Sequence, residues 1–239
     1  MLPQNWLKNG SLLTCSSGLL VLFVFLQAGS AFAQDETNRF EKEIEHLEAN
    51  IFDPPPGPIV FYGSSSFRLW RSLEEDFRSY EVLNCGFGGA CLTDCVAFAP
   101  RLIVPLKPSA VVIYAGDNDL ALGIPPEQAF NSFCQLFHIL RDGSQKPYIA
   151  FVSVKACPAR LRFLANIQRY NALVREFLSE QTRCDFIDLY SDLLGPDKKP
   201  QTSLFRNDQI HLSANGYEIL RRDIAQFLRD EFPKRLATQ

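Results

Sequence analysis

Along most of this chain, apolar runs of strand length alternate with longer segments whose apolar residues recur at helical spacing. The runs are Ile59 to Tyr62, Glu81 to Asn84, Ala110 to Ala115, Tyr148 to Val154 and Asp185 to Leu189. Between and after them, Phe67 to Asp76, Thr93 to Ile103, Pro126 to Arg141, Ala165 to Gln181 and Ser213 to Phe232 carry the helical period. Runs that are apolar on both faces, each followed by a turn and a helix, predict parallel strands covered by helices on both sides. The pattern therefore predicts a doubly wound α/β domain, in which a site lies beyond the carboxyl ends of the strands.

The chain upstream of Ile59 follows a different pattern. Leu19 to Leu26 is an unbroken apolar run, Lys8 is the only charged residue among the first 33, and Ala31, Phe32, Ala33 form a small-x-small exit. This reads as a secretory signal peptide over residues 1–33, cleaved before Gln34. The alternative is an uncleaved anchor over residues 11–33, a stretch just long enough to span a bilayer. Thr37 to Asn50, with Phe40, Ile44 and Leu47 on one face, predicts a surface helix, and Pro54, Pro55, Pro56 and Pro58 end it. The expected organisation is a leader (1–33), a helix and proline-rich link (34–58), and one domain over 59–239. A leader of this kind directs the chain to a secreted or periplasmic location, with membrane attachment only if it is retained.

Composition changes this picture little. A net charge of −3 gives nothing that would attract nucleic acid or an anionic membrane. Six cysteines follow the leader: Cys85, Cys91, Cys95, Cys134, Cys157 and Cys184. Their even count permits disulfides in an exported protein. They lie mostly in apolar stretches of a domain large enough to need no staples, so buried thiols are the simpler expectation.

Candidate chemistry sits where the strands end. After the first run comes Gly63, Ser64, Ser65, Ser66, a sharp turn into a helix start, where a hydroxyl could act as a nucleophile or only cap the helix. The second run leads into Asn84 to Ala90 with three glycines, able to offer a backbone N–H or simply to turn. Gly116, Asp117, Asn118, Asp119 follow the third run, where an asparagine amide could meet an oxyanion or the segment could be an ordinary turn. Of the three histidines, His46 and His138 fall within helices far from any strand end. His211 precedes the last helix with Asp208 three residues before it, a spacing that lets the carboxylate hold the ring and fix its tautomer. Such a pair also occurs for purely structural reasons.

Taken in chain order, the serine turn, the glycine loop, the asparagine turn and the Asp–His pair resemble the SGNH hydrolase superfamily, the GDSL-type lipases and esterases. The resemblance runs from about Ile59 to Phe232. It implies Ser65 as nucleophile, Asp208 and His211 as its partners, and an oxyanion hole made of Ser65, Gly89 and Asn118. Where the family usually has Gly-Asp-Ser, this chain has Gly63, Ser64, Ser65, an opening similar to that of a bacterial Gly-Ser-Ser-Ser branch, and the role of position 64 is left open. No Gly-x-Ser-x-Gly elbow of the α/β-hydrolase kind occurs.

The expected fold class is thus α/β, a doubly wound, flavodoxin-like three-layer sandwich around a parallel sheet of about five strands. The expected function is ester hydrolysis through an acyl-enzyme, needing no cofactor or metal, on a small-molecule or carbohydrate ester. A short acyl group is favoured, because no segment reads as a long amphipathic lid over a lipid groove. Alternatives are a lysophospholipase- or thioesterase-like lipid acylhydrolase, a non-catalytic relative that holds an anion at the serine turn, and a metal-dependent hydrolase using Asp117, Asp119 and Asp208.

Overall fold

A computed structural model describes residues 39–51, 53–142 and 146–233. The expected leader over residues 1–33 and the first two residues of the expected helix at Thr37 lie outside the described residues. By its contacts the chain divides at Glu41, and the unit from Lys42 onward holds the whole sheet.

In chain order the elements are α1 (Glu41–Asn50), β1 (Ile59–Gly63), α2 (Ser65–Arg68), α3 (Leu73–Asp76), β2 (Val82–Gly86), α4 (Leu92–Leu102), β3 (Ala110–Tyr114), α5 (Asp117–Ala121), α6 (Pro126–Arg141), β4 (Tyr148–Val152), α7 (Leu164–Ser179), β5 (Cys184–Ile187), α8 (Leu189–Asp192) and α9 (Ala214–Glu231). Short 3-10 turns occupy Pro158–Phe163 and Thr202–Leu204. All five strands are parallel, in the order β2-β1-β3-β4-β5. This is the flavodoxin-like order, whose direction reverses between β1 and β3 and opens a crevice there.

Burial follows the sheet. β1 and β3, in the interior, are buried along their whole length, while the edge strands β2 and β5 are only partly covered. Alternate residues face opposite layers, as the strand period of two requires. Phe61, Val112, Tyr114 and Val152 pack with Phe67, Trp70, Phe77, Leu220 and Ile224 of α2, α3 and α9 and the turns beside them. On the other side the Tyr62 hydroxyl donates to the Cys95 carbonyl of α4 at 2.8 Å, and the Phe151 ring meets Phe133 of α6 and Tyr170 of α7.

One expected element is different. Phe67 to Asp76 does not form a single helix but divides into α2 and α3. Side chains gather at the break: Asp76 Oδ2 accepts from the Trp70 indole at 2.6 Å and from Ser72 Oγ at 2.8 Å, tying the end of α3 back to the residues between the two helices. The Trp70 ring thereby lies in the core against Phe61, Phe77 and Tyr217. All six described cysteines are thiols, four of them buried.

Candidate active site

The first three strands end level with one another: Gly63 of β1 is in register with Gly86 of β2 and with Tyr114 of β3. Their following loops therefore leave the sheet at one height and meet over the β1/β3 crevice. Gly63 makes this possible. Its φ is +135°, and a Cβ there would lie 2.0 Å from the Tyr114 carbonyl oxygen, so no other residue fits. The chain instead crosses the end of β3, with the Ser64 N–H donating to that same oxygen at 2.9 Å.

The three serines separate sharply. Ser64 is fully buried, its hydroxyl donating to Asp117 Oδ1 at 3.4 Å. Ser66 is also buried, its Oγ accepting from the Lys155 ammonium at 3.2 Å. Only Ser65 reaches the surface, and its Oγ lies 3.0 Å from His211 Nε2. On the far side of the ring, His211 Nδ1 donates to Asp208 Oδ2 at 2.7 Å. Asp208 Oδ1 accepts the backbone N–H groups of Ile210 and His211, both at 2.9 Å. Burial opposes ionisation of Asp208, but the hydrogen bonds from the His211 ring and from these two N–H groups outweigh it. They hold the carboxyl well below the usual carboxylate range. Because the carboxylate accepts at Nδ1, the histidine's tautomer is set and Nε2 is left as an acceptor facing the Ser65 hydroxyl.

His211 is fixed by its own loop. The Arg206 N–H donates to the His211 carbonyl at 2.8 Å, Gln209 turns the chain with φ of +57°, and Ser213 caps α9. The other two histidines stand on exposed helix surfaces, His46 on α1 beside Asn50 and His138 on α6.

Asn118 stands in the first turn of α5, beside the Ser65 pocket. Its Nδ2 donates to the Ala90 carbonyl at 3.0 Å, and its Oδ1 accepts from the Arg160 guanidinium at 3.0 Å. The next residue, Asp119, ties the third loop to the second by accepting the Leu92 N–H at 3.1 Å. Burial raises the Asp119 carboxyl to about 6. Gly89, with φ of +79°, lines the same pocket.

Behind these loops is a charged cluster. Lys155, fully buried, donates to the Tyr114 hydroxyl at 2.7 Å, to Asp117 Oδ2 at 3.2 Å and to Ser66. Burial disfavours its charge, but Tyr114 and Asp117 more than compensate and raise the ammonium above its usual range. Asp117 is desolvated as well, yet Lys155 and Arg160 hold it ionised, below its ordinary value. Ser64 thus has a carboxylate supplied to it by Asp117.

A hollow of about 340 Å³ contains Ser65, His211, Gly89 and Asn118, walled by Glu43, Arg68, Leu69, Gly88, Arg160 and Ile210. Glu43 of α1 pairs with Arg68 and accepts the Gly88 N–H at 3.3 Å. A larger hollow of about 460 Å³ lies between Gln168, Arg175 and Tyr190, away from these groups. The carboxylates of the metal-dependent alternative do not converge: among the described residues no cluster of three ligating side chains forms. Asp117 and Asp119 are taken up by Lys155, Arg160 and Leu92, and Asp208 by His211.

Residues 56–219 match the GDSL-like Lipase/Acylhydrolase family. The chain belongs to that family. Its members are ester-bond hydrolases acting on small-molecule substrates. Several solved structures share the fold. A GDSL-like lipase from Bacteroides thetaiotaomicron superposes with a TM-score of 0.66 at 20% identity, over 81% of this chain and 97% of that one. A lipase/acylhydrolase from Enterococcus faecalis gives 0.60 at 20% identity, over 75% and 99%. An acetyl xylan esterase gives 0.62 at 20% identity, over 71% and 98%. No curated protein matches this GDSL-like chain.

No motif in the sequence marks Lys155 or Arg160 as residues of the site. Asp117, which the sequence offers only as a turn residue or a metal ligand, is their shared counterion.

Proposed function

We propose that this GDSL-like hydrolase is a serine esterase working through an acyl-enzyme. The observation that carries the reading is the unbroken line from Ser65 Oγ through His211 to Asp208, with contacts of 3.0 and 2.7 Å. His211 Nε2 takes the Ser65 proton as Oγ bonds to the ester carbonyl carbon. The tetrahedral oxyanion meets the N–H groups of Ser65 and Gly89 and the Asn118 amide. The imidazolium then gives its proton to the leaving alcohol oxygen as the ester C–O bond breaks. Water, deprotonated by the same imidazole, releases the acyl group and restores the serine.

The pocket supports a short acyl group. Its walls include Glu43, Arg68 and Arg160 beside only two larger aliphatic side chains, Leu69 and Ile210, a poor lining for a long hydrocarbon chain. The likeness to an acetyl xylan esterase is compatible with an acetyl ester on a carbohydrate. Kinetics on p-nitrophenyl esters from acetate to palmitate test this, with Ser65→Ala as the control: kcat/KM should be highest at two to four carbons. A maximum at eight carbons or more would reject the short-chain reading, and undiminished hydrolysis by Ser65→Ala would reject the serine mechanism. From residues 1–33 we also propose export, with a mature chain beginning near Gln34; exported material retaining residues upstream of Ala33 would contradict it.

A further inference from the structure

We propose that Arg160 is the positioning residue of the oxyanion hole, holding the Asn118 amide with its N–H toward the substrate; this rests on the reading of Asn118 as an oxyanion donor. An asparagine amide has a broad terminal torsion, and a half-turn replaces a donor with a carbonyl lone pair. Turned that way, Asn118 would repel an oxyanion. Both of its fixed contacts oppose the turn. The Arg160 guanidinium can only donate, so it holds Oδ1 at 3.0 Å; the Ala90 carbonyl can only accept, so it holds one Nδ2 hydrogen at 3.0 Å. The remaining Nδ2 hydrogen is the amide's one uncommitted donor, on a residue that lines the pocket with Ser65.

Arg160 is itself held rigidly. One guanidinium nitrogen donates to the Asp117 backbone carbonyl at 2.7 Å and lies 3.2 Å from Asp117 Oδ2, while the other reaches Asn118. The side chain is only 16% exposed. Asp117 in turn is anchored by Lys155, Tyr114 and Ser64. The Pro158–Phe163 turn that carries Arg160 is tied to the histidine loop, because the Ala159 N–H donates to the Gln209 carbonyl at 3.2 Å. The planar fork spans Asp117 and Asn118 at once, which the point charge of a lysine cannot do. A donor fixed before the reaction needs no reorganisation as charge develops, so the benefit falls on kcat.

A double-mutant cycle with p-nitrophenyl acetate tests the proposal. Asn118→Ala should lower kcat by about a hundredfold or more. Arg160→Ala should lower kcat by roughly ten- to a hundredfold, less than deleting the amide, with KM changed less than threefold. Arg160→Lys should fall between Arg160→Ala and the wild type. In the Asn118→Ala background, either Arg160 substitution should cost almost nothing further. Should Arg160→Ala fail to fold, the Arg160→Lys arm carries the same test, since it keeps a cation beside Asp117. Full additivity in the cycle, or an effect mainly on KM, would overturn the positioning role while leaving the serine mechanism intact. A harmless Asn118→Ala would overturn the donor reading itself and the inference with it.

Discussion

Lys155→Met is the substitution that most severely tests the physical account of the cluster beneath the site. It removes an ammonium that is 2% exposed and makes three hydrogen bonds, to Tyr114, Ser66 and Asp117. Breaking a buried ion pair from one side costs about 3–5 kcal/mol, because the remaining charge stays buried. Here Arg160 still faces Asp117, so the cost should lie near the lower end, about 3 kcal/mol. For a domain of this size that lowers Tm by roughly 6–12 °C. Lys155→Met/Asp117→Asn, which removes both charges, should be at least about 1 kcal/mol more stable than the sum of the two single losses. Because the Lys155 pKa is raised, its contribution is complete below the unfolded lysine value near 10.4 and fades only as pH rises further, so the loss should be equal at pH 6 and pH 8. Urea unfolding, with unchanged m-values as the check on two-state behaviour, reads all of this. A loss below about 1 kcal/mol in Lys155→Met, or strict additivity in the double variant, would show that Lys155 and Asp117 are not an energetically coupled buried pair.

Two further outcomes follow from the carboxylates. Asp119, raised to about 6 from 3.8, binds its proton more tightly folded than unfolded, so stability should fall by about 3 kcal/mol as pH rises from about 4 to above 6. Asp119→Asn should flatten that change in urea midpoints taken at pH 4.5 and 7.5; an unaltered slope would contradict the assignment. Asp208, held well below the usual range, keeps its charge at every ordinary assay pH, so kcat/KM should show no step from its protonation above pH 3. Asp208→Asn should nonetheless lower kcat by up to roughly 10⁴ through loss of the ring's orienting partner, and a full-activity Asp208→Asn enzyme would remove it from the mechanism.

The strands, the longer helices and the residues of the Ser65–His211–Asp208 line were legible because each is punctuated locally. Gly63 marks the end of β1, and Asp208 lies three residues before the histidine it holds. The split at Trp70 was not legible, since helical spacing over Phe67 to Asp76 says nothing of the Asp76 carboxylate that captures Trp70 and Ser72. Arg160 and Lys155 escaped for a different reason: their partners lie 38 to 89 residues away and meet only when the sheet forms. A signal was present for one of them. Lys155 is a single charge directly following the apolar run Tyr148 to Val154, at the carboxyl end of a strand, where a buried lysine requires a buried counterion.

Whether Ser65 is the nucleophile is settled most directly by labelling the folded protein with a fluorophosphonate and mapping the adduct by peptide mass spectrometry. One adduct is expected, on Ser65, lost in Ser65→Ala and strongly slowed in a His211→Ala variant. None is expected on Ser64 or Ser66, whose hydroxyls are buried and engaged with Asp117 and Lys155. An adduct on either neighbour, or a folded protein that no fluorophosphonate labels, would contradict the Ser65 assignment.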